Sequence, residues 1–399
     1  MALFALVPGL PFGPFMAAAT GLGALSFMGL RRAEDPTAPT STEAEVPTAR
    51  SLGDVLDFDD IHIEFAPNLV GMVLDPATGL DARIVNMRNH IAGAFGLILP
   101  EIRVTDETML PPGSYRIRLQ GVERVRDRLL PDRLLVLPDG GTEAPEGIDV
   151  REPVYGAPAR WILPDDQERA ALAGLTVVTP AEVLATHLLE VMKGNLARLL
   201  TLKGLRRLLD EFTNLSDRSR AEANRRLLDE LVPDRVPVDL LLAVLRLLLE
   251  ERVSIRNLPL ILEAIAEARP LGSPEEICEH VRQRLGFQIV AELKREDGTV
   301  PLIQLAPEWE KTFAAHQLEG RGLRDVALPP EAFSRLANGL AEKLARAADM
   351  GLQPALVTST LRRRFLRAVV AAKGLIVPVI SYDEIGTEAR AAMVGTVPA

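Results

Sequence analysis

Ile61-His62-Ile63-Glu64-Phe65 alternates apolar and polar residues, the period of a strand with one dry and one wet face. Downstream, Asp81 is placed to cap a helix carrying Ile84, Met87, Ile91 and Phe95 at spacings of three and four, with Gly96 as its stop. Glu101 to Thr105 reads as a strand, and Tyr115-Arg116-Ile117-Arg118-Leu119 alternates so that both arginines share a wet face. This β-α-β-β order predicts a small α+β subdomain over 58–130. Residues 131–174 are rich in Pro, Gly and Asp, with short strand candidates such as Arg133 to Leu137, and read as an inserted β-rich subdomain. The first pattern resumes over 175–199 with the strand Leu175 to Val178. Thr179-Pro180-Ala181-Glu182 follows as a capping box with Pro at the first helical position, opening a helix through Leu184, Leu188 and Val191.

From 200 to 286 the apolar period is helical. Leu240 to Leu249 is apolar nearly all round, which predicts the centre of a bundle, and Ser273-Pro274-Glu275-Glu276 starts a further helix. From 287 to 399 strands are expected at Phe287 to Ala291, Pro301 to Leu305, Ala355 to Thr358 and Leu375 to Ile380. Helices at 331–348 and 360–373 between them complete a small α/β unit. The fold class is therefore α+β and multidomain, with four small subdomains.

What precedes them belongs to a different solvent. Met1 to Leu30 contains no charged residue and is followed at once by Arg31 and Arg32. A helix needs about 20 residues to cross a bilayer, and basic residues gather on its cytoplasmic side. The other reading, a secretory signal peptide, wants a basic start and a shorter apolar run. Pro8, Pro11 and Pro14 make the first half a kinked entry, leaving Phe15 to Leu30 as the better helix. Such a span fits a one-pass protein or the end of a larger membrane domain. Residues 31–57 carry Pro36, Pro39 and Pro47 and no apolar period, and read as an acidic, extended linker.

The chain has 399 residues and a net charge of −10, which argues against nucleic acid as a partner. One cysteine, Cys278, excludes an internal disulfide and a Cys-rich zinc site. There is no GxxxxGK[ST], HExxH, CxxC or GxSxG, and the five histidines show no metal-ligand spacing. His187 reads as a satisfied structural histidine. The adjacent carboxylates Asp165-Asp166 and Glu250-Glu251 read as solvated faces, and Arg362, Arg363, Arg364 and Arg367 as a solvated face or a protein contact. No catalytic residue, metal or cofactor is indicated. Motif chemistry thus reaches a membrane-tethered multidomain protein that is not an enzyme. The alternative is a membrane-anchored enzyme or signalling module with Thr358 and Ser359, between strand and helix, as its anion site.

Gly121-Val-Glu, Arg151-Glu-Pro-Val-Tyr-Gly-Ala-Pro-Ala-Arg-Trp161, Thr176-Val-Val, Val183-Leu-Ala-Thr-His187, Val253-Ser-Ile-Arg-Asn257 and Ile261-Leu-Glu-Ala-Ile265 follow one another in the chain. Together with the Val7-Pro-Gly-Leu-Pro11 opening, they resemble the FHIPEP family of flagellar and type III secretion export-gate proteins, its flagellar branch in particular. The resemblance covers nearly the whole chain. It implies an inner-membrane protein whose bulk is cytoplasmic, with four subdomains, the second inserted in the first, assembled into a nine-membered ring. Family members carry roughly eight membrane helices, of which this sequence holds the last. The implied partners are export chaperone–substrate complexes, other gate proteins and the export ATPase. The family's chaperone groove uses an acid, an aromatic three residues later and the Thr of Ala-Thr-His. Here these are Glu152, Tyr155 and Thr186, where the family commonly has Asp and Phe at the first two. The family linker docks on the neighbouring subunit through a Trp and an Asp, at whose places Leu52 and Asp54 stand; without the Trp the anchor is weaker.

Overall fold

The computed structural model describes residues 58–75, 79–138, 144–268, 272–318, 326–386 and 389–399. The expected membrane span (1–30), the linker (31–57) and the docking pair Leu52 and Asp54 lie outside them. Among the described residues no helix is long and apolar enough to cross a membrane. The architecture is mixed α+β, with three four-stranded sheets and a helical layer.

The first sheet has the order β2-β1-β3-β4, from β1 (Ile61–Phe65), β2 (Ile102–Asp106), β3 (Ser114–Leu119) and β4 (Val122–Arg128). β1 pairs parallel with β2 and antiparallel with β3. The alternation works as expected. Ile61, Ile63, Tyr115, Ile117 and Leu119 are buried, together with Ile84, Met87 and Ile91 of α1 (Leu80–Phe95). On the other face Arg116 pairs with Glu64. Gly79, not Asp81, is the N-cap of α1; Asp81 lies in the first turn, where the helix dipole favours a carboxylate. Gly96 ends the helix at φ +76°, and a Cβ there would meet the Arg256 backbone nitrogen at 2.7 Å.

The second sheet has the order β6-β7-β5-β8, from β5 (Leu134–Leu137), β6 (Gly147–Arg151), β7 (Pro158–Ile162) and β8 (Thr176–Val178). β8 is the strand expected to resume the first subdomain. It pairs instead with β5, Leu135 opposite Val178. The reason is local burial: the preceding Leu175 joins Val136, Ile162 and Ala170 in a small separate core, with Ala170 supplied by α2 (Gln167–Leu172). The return to the first sheet comes at Thr179, where the capping box forms. Thr179 Oγ1 accepts from the Glu182 N–H at 3.3 Å, and the Glu182 carboxylate accepts from the Thr179 N–H at 2.9 Å. This starts α3 (Pro180–Lys193).

The helical layer comprises α4 (Leu202–Thr213), α5 (Arg218–Leu231), α6 (Val238–Glu250), α7 (Leu258–Glu267) and α8 (Pro274–Arg284). α6 buries Leu241, Val244, Leu245, Leu248 and Leu249, as a central helix should. The expected strand Phe287 to Ala291 is a helix, α9 (Gly286–Leu293). Ile289 and Val290 face inward and Phe287 is 62% exposed. A short apolar run fits either period, and packing decides.

The third sheet has the order β11-β10-β9-β12, with β9 (Thr299–Leu305), β10 (Ala355–Thr358), β11 (Val379–Ser381) and β12 (Arg390–Val397), all paired parallel. Only the end of the expected strand Leu375 to Ile380 pairs. Between these strands run α10 (Glu308–Ala315), α11 (Pro330–Asp349) and α12 (Thr360–Ala372), and the single turn α13 (Tyr382–Ile385) follows β11. Trp309, Phe313, Leu336, Leu340, Leu366 and Val370 form the core here.

Two charged features depart from the solvated reading. Arg362 and Arg363 are buried. Arg363 bonds Glu251 at 2.5 Å and Glu279 at 2.7 Å, while Arg282 bonds Glu384 at 2.8 Å. α12 thus sets its first turn onto the ends of α6 and α8, and Glu251 becomes an interior anion. Burial opposes its ionisation, but the charges of Arg282 and Arg363 hold its carboxyl below the ordinary value. The exposed arginines of the group are Arg364 and, partly, Arg367.

Candidate docking site

Glu152 follows β6 and is 7% exposed. Its carboxylate accepts the backbone N–H groups of Val154 (2.7 Å), Tyr155 (2.6 Å) and Ala157 (3.1 Å). Its own backbone bonds Ala157 and Gly156, closing the 152–157 turn. Gly156 adopts φ +70°, and Arg151 donates to its carbonyl at 2.8 Å. A buried acid that consumes three N–H donors fixes a loop without help from a core. The loop carries Tyr155 at 74% exposure.

Thr186 lies on α3 and is exposed. Glu190, one turn further along the same helix face, lies close enough to the Tyr155 phenol for its charge to act on it. Partial desolvation, then the Glu190 charge, raise the phenol's pKa, while nearby Arg252 opposes them. Glu190 also holds Lys193 at 2.9 Å. The turn of Glu152 and Tyr155 therefore lies within electrostatic reach of Glu190 on the helix of Thr186, a residue that sequence reasoning missed. Its i+4 spacing from Thr186 was the available signal.

Beneath this surface His187 is buried and bonded to the Tyr115 hydroxyl at 2.6 Å, with the rings edge to face. Burial pushes its pKa below the ordinary value, and Asp127 and Glu152 pull the other way. Burial, followed by the charges of Asp127 and Glu152, pushes the Tyr115 phenol up. His187 is the satisfied structural residue that was expected.

Thr358 and Ser359 offer little to an anion. Thr358 is buried, and the hydroxyl of Thr360, two residues on, donates to the Asp383 carboxylate. In the same helix turn Arg362 is bonded to Glu310, and Arg363 to Glu251 and Glu279. Cys278 is buried, and burial raises its thiol to about 12, which makes it a poor nucleophile. Among the described residues no group of His, Cys, Asp and Glu is arranged to hold a metal ion. The surface offers an exposed aromatic beside charged groups.

Comparison with known proteins agrees in fold and extent. A flagellar biosynthesis protein FlhA from Caulobacter vibrioides is 35% identical over 403 residues, covering 99% of this chain and 56% of that protein. The chain thus spans about half the length of the curated relatives it matches. The Chlamydia pneumoniae CdsV protein superposes with a TM-score of 0.71 at 21% identity, covering 91% of this chain and 99% of that one. The nonameric SctV-C of EPEC superposes at 0.67 and 19% identity, covering 85% and 98%. The FHIPEP profile matches residues 1–390, and the chain belongs to the FHIPEP family.

Proposed function

We propose that this chain is the docking part of a flagellar type III protein-export gate. It captures export chaperone–substrate complexes at Glu152, Tyr155 and Thr186 and contributes recognition, not covalent chemistry. Residues 1–30 anchor it in the inner membrane, and four subdomains hang below in the cytoplasm. The subunits close into a nine-membered ring, with Leu52 and Asp54 docking each linker on its neighbour, and the other gate proteins and the export ATPase act beside it. The likeness to the Caulobacter relative and to the nonameric fold supports this reading. The observation that carries it is the Tyr155 loop. A buried carboxylate spends three hydrogen bonds to hold an aromatic 74% exposed beside a helix, the arrangement of an interface anchor.

The test is calorimetry of the full chain with a flagellar chaperone–substrate complex. Tyr155→Ala weakens binding by about 1–3 kcal/mol and leaves the fold intact. Unchanged affinity would remove Tyr155 from the site.

A further inference from the structure

In a chain with a net charge of −10, one cleft carries the opposite sign. A cavity of about 220 Å³ lies where the end of α3, the end of α6 and the α12–β11 connection meet. Lys193, Arg198, Arg252 and Arg367 line it, with Glu250 as the only lining carboxylate. Lys193 is paired with Glu190. No hydrogen bond or ion pair joins the guanidinium groups of Arg198, Arg252 and Arg367 to another described residue, although the Arg367 charge reaches Glu251. The buried arginines are paired instead: Arg363 with Glu251 and Glu279, and Arg282 with Glu384. Like charges gathered around one cavity repel, and an anionic guest removes that cost.

Two further observations choose the guest. Ile376, at the same cleft, is 81% exposed, and an inorganic anion has nothing to cover it with. Arg252 ends α6 in the left-handed backbone region, φ +59°, where the Arg252 and Val253 N–H groups close the helix on Leu249 and Leu248. Arg252 also lies close enough to Tyr155 for its charge to act on the phenol, so the cleft adjoins the docking surface.

We propose that Arg198, Arg252 and Arg367, with Lys193, form a receptor cleft for an acidic, extended peptide segment of the docked partner. Its carboxylates pair with the guanidinium forks, and a neighbouring aliphatic side chain covers Ile376. Only the origin of the peptide, on the docked partner, rests on the reading given under Proposed function.

The experiment measures fluorescence anisotropy of a labelled Glu-Glu-Leu-Glu-Glu peptide with the full chain in detergent. Binding is expected at low salt and weakens as salt rises. Arg198→Glu, Arg252→Glu and Arg367→Glu each weaken it about tenfold or more. Arg252→Gln, which only removes the charge, weakens it less. Arg364→Glu, on the same helix but outside the cleft, leaves it unchanged. Absence of peptide binding at low salt, or equal binding by the three charge reversals, overturns the proposal. Displacement by inorganic phosphate combined with no effect of Ile376→Ser also overturns it, because the cleft would then be a small-anion site only. The two readings fail separately. A chain that loses the chaperone–substrate complex on Tyr155→Ala but never binds the peptide keeps the docking site and loses the cleft. A chain that binds the peptide but is indifferent to Tyr155→Ala does the reverse.

Discussion

Glu152 is the residue on which the docking loop depends. Its carboxylate satisfies three N–H groups that would otherwise face a turn with no other acceptor. Glu152→Ala is expected to cost about 1–3 kcal/mol of stability, and to cost docking as much as removing the aromatic does. Hydrogen exchange checks the cause: the amides of Val154, Tyr155 and Ala157 should lose protection first, and unchanged protection would show the loop is held by something else. His187 gives a pH dependence. Its folded pKa lies below the ordinary value, so between the two values the unfolded chain binds the extra proton. Stability therefore falls as pH falls through that window. Denaturant midpoints at about pH 7 and about pH 5.5 should drop more for the native chain than for His187→Gln. An equal drop in both would mean the imidazole does not sense folding.

At the scale of elements, Gly286 and Arg363 join the helical layer to the third sheet. A Cβ on Gly286 would stand 2.5 Å from the Glu384 carbonyl oxygen, at the start of a helix pressed against α13. Gly286→Ala must push the two helices apart and is expected to destabilise by about 1–3 kcal/mol in thermal or denaturant unfolding. Arg363→Ala leaves Glu251 and Glu279 facing each other without their shared cation, at about 3–5 kcal/mol. A loss under 1 kcal/mol, on the order of a surface pair, would mean that water reaches these carboxylates. Much here was legible in the sequence: the Thr179 capping box, the Ser273 cap, the Gly96 stop and the β1 and β3 alternation each rest on neighbours within a few residues. The misses have long reach. Arg363 finds Glu251 and Glu279 at separations of 112 and 84 residues, which no local pattern encodes. The β8 pairing and the helix at Phe287 were decided by burial against distant partners. Within the docking site the residue types came from resemblance. Only the structure brought Glu190 and Arg252 to Tyr155.

At the scale of the whole molecule, the proposed ring must bring acidic bodies together. Exposed ion pairs supply roughly 0–1 kcal/mol each and are screened by salt, so in that proposal membrane anchoring raises the local concentration. A fragment covering 58–399 is expected to be mostly monomeric at micromolar concentration by mass photometry. A ring stable in high salt would show that apolar contacts dominate and the tether is dispensable. The central claim is that the partner lands on the Glu152 loop and the face of α3. Hydrogen–deuterium exchange of the full chain in lipid nanodiscs, with and without a flagellar chaperone–substrate complex, tests it most directly. The account predicts new protection over 152–157 and along 183–194. Protection confined to the third sheet and α11, with both of those stretches exchanging as in the free chain, would contradict it.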